Sequence, residues 1–330
     1  MATTQPVAQT PPSDQLKTLA ETLPQRNLWM DAFHRLIRNR LSLVGLVIVL
    51  LLVFLAIFGP AIAPYDYRVQ QLSRVAEGPS TEHWLGTDDL GRDMLTRIIW
   101  GARTAAIVAI TATTFSLFLG IMLGSLGAYL GGWVDWGISR LIDVASCIPS
   151  LLFASLIAAT FRKPVADWVD EMYKQTKIGI FATTAYADLV VVFGALALIS
   201  WPGYARLIRG QILTLRAKEF VEGAMAVGVR QRGILFRYLI PNALGPIIVA
   251  VTFGLAGAIV AESALSFLGV GVQPPQPSWG NMIADNALSW RYRPWLVAVP
   301  GVTIAIVSLG INFLGDGLND ALNPRSQKHG

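Results

Sequence analysis

Long apolar stretches alternate with shorter polar ones along most of the chain. A helix needs about 20 predominantly apolar residues to cross a bilayer, and six stretches are long enough. These stretches lie at 41–63, 103–130, 141–160, 185–205, 244–268 and 295–315. The pattern therefore predicts an all-α membrane protein with six transmembrane helices.

A polar segment precedes the first apolar stretch and lies outside the membrane part of the chain. Residues 1–25 are rich in Thr, Gln and Pro, a composition typical of disorder. The first stretch ends in an Ala-Ile-Ala that resembles a signal-peptidase site, but the stretch and its leader are too long for a signal peptide. We expect residues 1–40 to precede an uncleaved first span at 41–63, with an external segment at 64–102.

Composition supports the membrane class. The chain is 53% hydrophobic and 14% charged, with a mean hydropathy of +0.51, whereas soluble domains carry about 25% charged residues. A net charge of +5 favours nucleic acid in a soluble protein, but in a membrane protein basic residues mainly report topology. We therefore expect no nucleic-acid partner. Cys147, the single cysteine, excludes a disulfide within the chain and is expected to be buried.

Lysine and arginine positions indicate the orientation. Arg35, Arg38 and Arg40 lie just before the first span, and a larger basic cluster lies between residues 206 and 237. Because cytoplasmic segments near span ends are enriched in Lys and Arg, both termini and the 206–237 region are predicted to be cytoplasmic.

Small residues recur every four positions on two spans. They are Gly120, Gly124, Ala128 and Gly132 on the second, and Ala250, Gly254 and Ala258 on the fifth. Such stripes let helices approach closely in lipid. Packing within the bundle is the simpler interpretation, and a dimer seam or gate is the other.

A polar segment, EFVEGAMAVGVRQRGILFRYLIPN at 219–242, interrupts the apolar pattern. Residues 219–227 and 230–238 favour helix, Gly228 suits a helix C-terminus, and Pro241 is expected to end the second helix. This predicts a helix–turn–helix leading into the fifth span. Its apolar positions provide a face for docking on a partner, or else it lies on the bilayer surface.

The spacing within this segment resembles the EAA loop of ATP-binding-cassette (ABC) importer permeases. The matching residues are Glu222, Ala224, Gly228, Ile240 and Pro241. Gly223 and Tyr238 depart from the usual pattern. The resemblance implies that residues 216–242 form a coupling helix that sits in a cleft of a cytoplasmic ATPase. The residues it assigns to this contact are Glu219, Glu222, Ala224, Gly228, Arg232, Tyr238, Pro241 and Asn242.

Other stretches narrow the resemblance to the C-type subunit of dipeptide, oligopeptide and nickel permeases. They are HWLGTDDLGRDMLTRIIWGART, ESALSFLGVGVQPPQPSWGNMIADN, RYLIPN and NFLGDGLNDALNPR, and the likeness covers residues 30–325. It implies a type I importer permease fold with a five-helix core at 103–315 and a cytoplasmic tail at 316–330, in a bacterial or archaeal inner membrane.

The resemblance also implies partners and a cargo. A homologous B-type permease would complete the translocation path, two ATPase subunits would bind ATP and Mg, and an extracytoplasmic binding protein would deliver substrate. Peptides are the expected cargo, with nickel chelates, glutathione or oligosaccharides as alternatives.

Polar residues predicted to lie outside are candidates for the external mouth. Asp88, Asp89 and Asp93 could form an oxygen-ligand metal site, but the interleaved Arg92 favours a structural role, with Thr87 or Asp88 capping the second span. Pro274 in a rigid loop and Trp279, expected at the membrane interface, are the other candidates for contact with the binding protein.

Two acids fall inside predicted spans, Asp143 in the third and Glu262 in the fifth. Ionisable groups in spans are functional candidates. The alternative is internal pairing, with Arg140 for Asp143 and with hydroxyls such as Ser263 for Glu262.

Two further segments carry expectations. Residues 161–188 are longer than the family's usual connection, and Pro164 is predicted to start a short amphipathic helix there. Residues 315–325 superficially resemble a calcium loop but lack its ligand order, so a glycine-broken helix end near the ATPase is expected.

Sequence motifs do not favour catalysis. No glycine is followed by lysine, so the ATP-binding loop pattern fails, and there is no HExxH. We expect no enzyme activity, no cofactor and no metal in this chain. A stand-alone secondary carrier or channel is the competing hypothesis, and the Glu222, Gly228 and Pro241 spacing argues against it.

Overall fold

The structure, a computed structural model, describes residues 28–177 and 185–322. The predicted disordered segment 1–25, part of the 161–188 connection and the end of the tail lie outside the described residues. The helices are α1 (Leu28–Arg38), α2 (Arg40–Ile62), α3 (Met94–Leu130), α4 (Gly132–Cys147), α5 (Ser150–Thr176), α6 (Ala185–Arg216), α7 (Glu219–Ala226), α8 (Ile240–Phe267), α9 (Trp279–Asn286) and α10 (Trp295–Leu322).

Five helical stretches of the described chain are long and apolar enough to cross a membrane, and a bent pair of helices makes a possible sixth. The single stretches include α2, α3 and α10, most of α6, and α8 together with the residues that precede it. The all-α membrane architecture predicted from the apolar pattern is confirmed.

The third predicted span is the bent pair. The chain turns by 88° between α4 and α5, so residues 141–160 do not form one straight helix as expected. Pro149 explains the break, because a residue before proline is pushed out of the helical region. Ile148 accordingly has an extended backbone, with φ −86° and ψ 129°.

The second span starts earlier than its apolar stretch indicates. α3 begins at Met94 because the Asp93 carboxylate accepts a hydrogen bond from Thr96 N–H at 2.7 Å, which satisfies an otherwise free donor of the first turn. The expected cap at Thr87 or Asp88 was therefore wrong.

The small-residue stripe on α3 packs within the chain. Gly120 and Gly124 lie directly against Tyr204 and Ala205 of α6, leaving no room for a Cβ at either position. Gly132 does not share this contact, since it begins α4 and faces open space. Packing inside the bundle is thus the role of the first stripe.

Three smaller expectations were wrong. α5 runs through Pro164, since a proline bends a helix without always ending it. α10 continues through Gly315 to Leu322 because that glycine packs against Phe253 and Thr252 of α8. Cys147 is exposed, because it lies at the α4–α5 break where the chain turns away from the bundle.

The two ends of the bundle carry different structures. At one end, residues 64–93 and 269–294 form a layer over the starts of α3 and α10, which we call the cap. At the opposite end, residues 217–239 join α6 to α8, and we call them the coupling segment.

Candidate functional site

The coupling segment begins with α7 and reverses direction at Gly228. Gly228 has φ +83°, a conformation strained for residues with a Cβ. Its N–H donates to Met225 O at 2.9 Å, and Val229 N–H donates to Ala224 O at 3.1 Å. These bonds satisfy carbonyls at the end of α7, and they confirm the predicted glycine stop.

The second half of the coupling segment does not end at Pro241 as predicted. Residues Ile234–Leu239 form a π-helical turn that leads directly into α8, and Pro241 lies in the first turn of α8. Proline is tolerated there because first-turn N–H groups need no helical partner. Asn242 donates its side-chain amide to Tyr238 O at 2.6 Å, so the segment and the fifth span are one continuous element.

The inward face of the coupling segment is apolar and packs on the spans. Val221, Leu235 and Leu239 are buried in it. We call the whole group the coupling cluster: Ala128, Tyr204, Ile208, Ile212, Val221, Ile234, Leu235, Leu239, Ala243 and Ile247. The cluster joins the segment to α3, α6 and α8 through apolar contacts.

The outward face of the segment leaves large apolar side chains in solvent. Phe220 is 42% exposed, Met225 47% and Val227 84%. The predicted docking face was therefore partly wrong, because only some of its apolar positions point outward and the rest fill the coupling cluster.

The residues assigned to ATPase contact divide in the same way. Ala224 is buried and Tyr238 is half-buried, so both belong largely to the inward side. The others are exposed: Glu219, Glu222, Gly228, Arg232, Pro241 and Asn242. The segment thus exposes both charged and large apolar side chains.

The cap is organised around buried charges. The Asp88 carboxylate accepts from Arg92 Nε and from Arg97, both at 2.7 Å. Arg92 also contacts Asp285 of α9 at 3.2 Å. Arg97 bonds to Asn281 at 3.4 Å. Because buried charges are costly unless paired, this network holds α3 and α9 in one arrangement.

The side chain of Asp93 is also bonded to neighbouring groups of the protein. Besides capping α3, it lies 2.9 Å from the imidazole Nδ1 of His83, and both side chains are buried. Among the described residues, no group of three or more His, Cys, Asp and Glu could hold a metal ion.

The outer surface of the cap carries exposed ion pairs. Asp89 accepts from Ser289 at 3.0 Å and from Arg293 at 3.3 Å. Nearby, the Arg74 guanidinium donates to Glu82 and holds the pKa of that carboxyl below its ordinary value. Asp89 and the exposed Pro274 are the members of the predicted external set that a partner could reach.

Trp279 is not at an interface as predicted. It is 1% exposed, and its indole N–H donates to Ile98 O at 3.1 Å. Its ring packs against Gly101 of α3. A buried Trp needs a partner for its N–H, and the backbone of α3 provides one.

The two acids in spans have different surroundings. Glu262 is 1% exposed and accepts from Ser266 and Ser278 at 2.7 Å each, with Ser263 at 3.4 Å. Asp143 is exposed and pairs with Arg140 at 3.6 Å. The predicted internal partners are present in both cases.

Sequence reasoning missed the partners that complete these networks. Ser278 caps α9 while donating to Glu262, which ties the cap to α8. Asp285 meets Arg92 across a separation of 193 residues. The local signal in this network was the i,i+4 pair of Asp88 and Arg92.

The coupling segment and cap sit at the ends of a helical membrane bundle, which defines a transport permease. Residues 116–328 match the family described as the binding-protein-dependent transport system inner membrane component, and residues 27–79 match the N-terminal TM domain of oligopeptide transport permease C. The chain therefore belongs to the binding-protein-dependent transport family.

Curated relatives match over nearly the whole chain. A dipeptide transport system permease protein of Alkalihalophilus pseudofirmus is 38% identical over 96% of this chain and 93% of its own length. An oligopeptide transport system permease protein of Bacillus subtilis is 35% identical over 92% and 91%. A glutathione transport system permease protein of Pectobacterium atrosepticum is 33% identical over 94% and 97%.

Proposed function

We propose that this chain is the C-type permease subunit of a type I ABC importer that moves peptides inward. It would line half of the translocation path in the inner membrane of a bacterium or archaeon. The family and the peptide permeases among its relatives support this proposal.

The coupling segment is the observation that carries the ATPase part of the proposal. Phe220, Met225 and Val227 are exposed apolar residues of this segment, and Glu222 and Arg232 are exposed charged residues of the same segment. Exposed apolar patches rimmed by polar residues mark interaction sites. The patch fits a cleft of a cytoplasmic ATPase subunit, which would bind ATP and Mg itself.

The packing of the segment supports a lever mechanism. Its inward face shares the coupling cluster with α6 and α8, and it continues into α8 without a flexible joint. Closure of the ATPase dimer would therefore move the segment together with these two spans. Such rigid-body rocking would alternate access to the path.

The remaining partners follow from the orientation. The abundance of Lys and Arg favours a cytoplasmic position for the coupling segment and both termini, which would leave the cap facing outward. The exposed part of the cap around Asp89 and Pro274 is where an extracytoplasmic binding protein would dock. A homologous B-type permease would pair with this chain, and lipid would cover the rest.

The test is reconstitution with the neighbouring subunits. The complex should be purified with its co-expressed ATPase subunits, placed in proteoliposomes, and supplied with binding protein. We expect peptide-loaded binding protein to stimulate ATP hydrolysis and to drive peptide uptake. Absence of any co-purifying ATPase would refute the proposal and restore the secondary-carrier hypothesis.

Glutathione is a second candidate cargo, favoured by the relative from Pectobacterium atrosepticum. The same reconstituted complex distinguishes the two. Stimulation by glutathione alone, with none by peptides of mixed sequence, would replace peptide by glutathione in the proposal.

A further inference from the structure

A cavity of about 530 Å³ lies between α3, α6 and α8, midway along these helices. Ile199 and Gly203 line it from α6, while Ala250, Gly254 and Ala258 line it from α8 at helical spacing. Its volume falls within the range of about 300–1,000 Å³ typical of ligand pockets. The second small-residue stripe therefore borders open space.

The lining of the cavity is neutral and mostly apolar, with hydroxyl groups from five residues. They are Thr113, Ser116, Ser150, Ser200 and Tyr204, of which Ser116 already donates to Ala112 O and Ala197 O, and no described lining residue carries a charge. A hydroxyl both donates and accepts hydrogen bonds, so it serves the N–H and the C=O of an amide equally. Such a wall suits peptide backbone and does not select side chains by charge.

The break between α4 and α5 opens beside this cavity. Ser150 lines both this cavity and a neighbouring one that Cys147 and Pro149 border, and Ile148 at the break is exposed. Irregular backbone at membrane depth is tolerated only where it is buried in protein or lines a water-filled cavity. Water and a polar cargo therefore suit this space better than a lipid tail.

Tyr204 connects the cavity to the coupling segment. It belongs to the coupling cluster and also lines the cavity. Its hydroxyl lies directly over Gly254 of α8. A Cβ at position 254 would overlap this hydroxyl, whereas one at Gly245, on the same helix but outside the cavity lining, would meet nothing within 4 Å.

We infer that this cavity is where the chain touches the transported peptide, and that Tyr204, seated on Gly254, sets its width. The inference rests on the proposed function, because the ligand it names is the proposed cargo. Movement of the coupling segment would reach the cavity through Tyr204.

The first test introduces a negative charge into the lining of the cavity. The reconstituted complex is assayed with radiolabelled Ala-Ala-Ala, Ala-Lys-Ala and Ala-Glu-Ala. Each uptake is divided by the wild-type value for the same peptide, so that the preference of the binding protein cancels. We expect Ser200→Asp to favour Ala-Lys-Ala over Ala-Glu-Ala by about tenfold, while Ser200→Asn keeps the ratio near the wild-type value.

The second test changes the width. Gly254→Ala should lower uptake of all three peptides by about tenfold, whereas Gly245→Ala, on the same helix but outside the cavity lining, should leave uptake near wild type. Tyr204→Phe removes the hydroxyl that the new methyl group would meet, so it should partly restore uptake in the Gly254→Ala background.

Assembly is measured by co-purification for every variant, and Ser150→Asp replaces Ser200→Asp if the latter fails to assemble. If wild type transports none of the peptides, the proposed function fails. If wild type transports them but the aspartate variant shows no charge preference, or Gly254→Ala behaves like Gly245→Ala, this inference alone is overturned.

Discussion

The cap and the coupling segment lie at opposite ends of the bundle and are held by different forces. The cap buries charged groups, with Asp88 bonded to Arg92 and Arg97. The coupling segment buries only apolar side chains and leaves its charged ones in solvent. Charge-assisted hydrogen bonds are strong and directional, whereas apolar burial is non-directional. Directional bonds thus hold the cap in one arrangement, whereas the proposed lever mechanism would have the coupling segment shift together with the helices beneath it.

The largest expected effect is in the cap. Asp88→Ala leaves Arg92 and Arg97 without their shared partner, and removing one member of a buried ion pair costs about 3–5 kcal/mol. We expect the thermal unfolding temperature of the detergent-purified protein to fall sharply. The matched control is Asp89→Ala, which removes an exposed carboxylate pairing with Arg293 and should cost about 0–1 kcal/mol. Equal losses in both variants would contradict the distinction between buried and surface pairs.

A smaller loss is expected where the cap joins the fifth span. Ser278→Ala removes the α9 cap and one donor to the buried Glu262, at a cost of about 1–3 kcal/mol. Ser289→Ala loses only an exposed bond to Asp89 and serves as the control. Thermal unfolding measures the stability of both variants. An unfolding temperature unchanged by Ser278→Ala would show that this bond does not stabilise the contact between the cap and α8.

In the coupling segment, Gly228→Val should cost about 1–2 kcal/mol, because a Cβ is strained at positive φ. The greater consequence is functional: a distorted turn would abolish coupled uptake or assembly with the ATPase. Gly223→Ala is the matched control, since Gly223 lies within α7 and faces open space. Normal uptake by a complex that carries Gly228→Val would contradict the lever mechanism.

The smallest effect on stability is expected at the most exposed position of the segment. Val227→Asp should change the free energy of unfolding by less than about 0.5 kcal/mol, since the side chain makes few contacts. Co-purification of ATPase subunits should nevertheless be lost. Val69→Asp makes the same change at an exposed valine of the cap and should retain them. If ATPase subunits co-purify normally with the Val227→Asp variant, the exposed patch is not the docking surface.

Much of the fold was predictable because membrane spans are local features. Apolar stretches of sufficient length located five spans and the region of the bent pair, and Gly228 predicted its turn because its positive φ is a conformation that few other residues adopt. The Ile148–Pro149 break was visible as a proline, but prolines do not always interrupt helices, as Pro164 shows.

The site was harder to predict because its contacts are not local. Arg92 and Asp285 are 193 residues apart, and nothing near either residue identifies the other. Trp279 was assigned to the membrane interface on composition, but it is buried because Gly101 leaves space for its ring. Tyr204 went unnoticed since a tyrosine in an apolar helix carries no signal of what faces it.

The bend between α4 and α5 has a practical consequence. It carries Cys147, the chain's single cysteine, which is exposed and borders a cavity shared with Ser150. A thiol-reactive fluorophore or spin label would therefore attach to the unmutated chain at one defined position. The natural sequence thus provides a reporter at the break, from which angular motion during the transport cycle could be read spectroscopically.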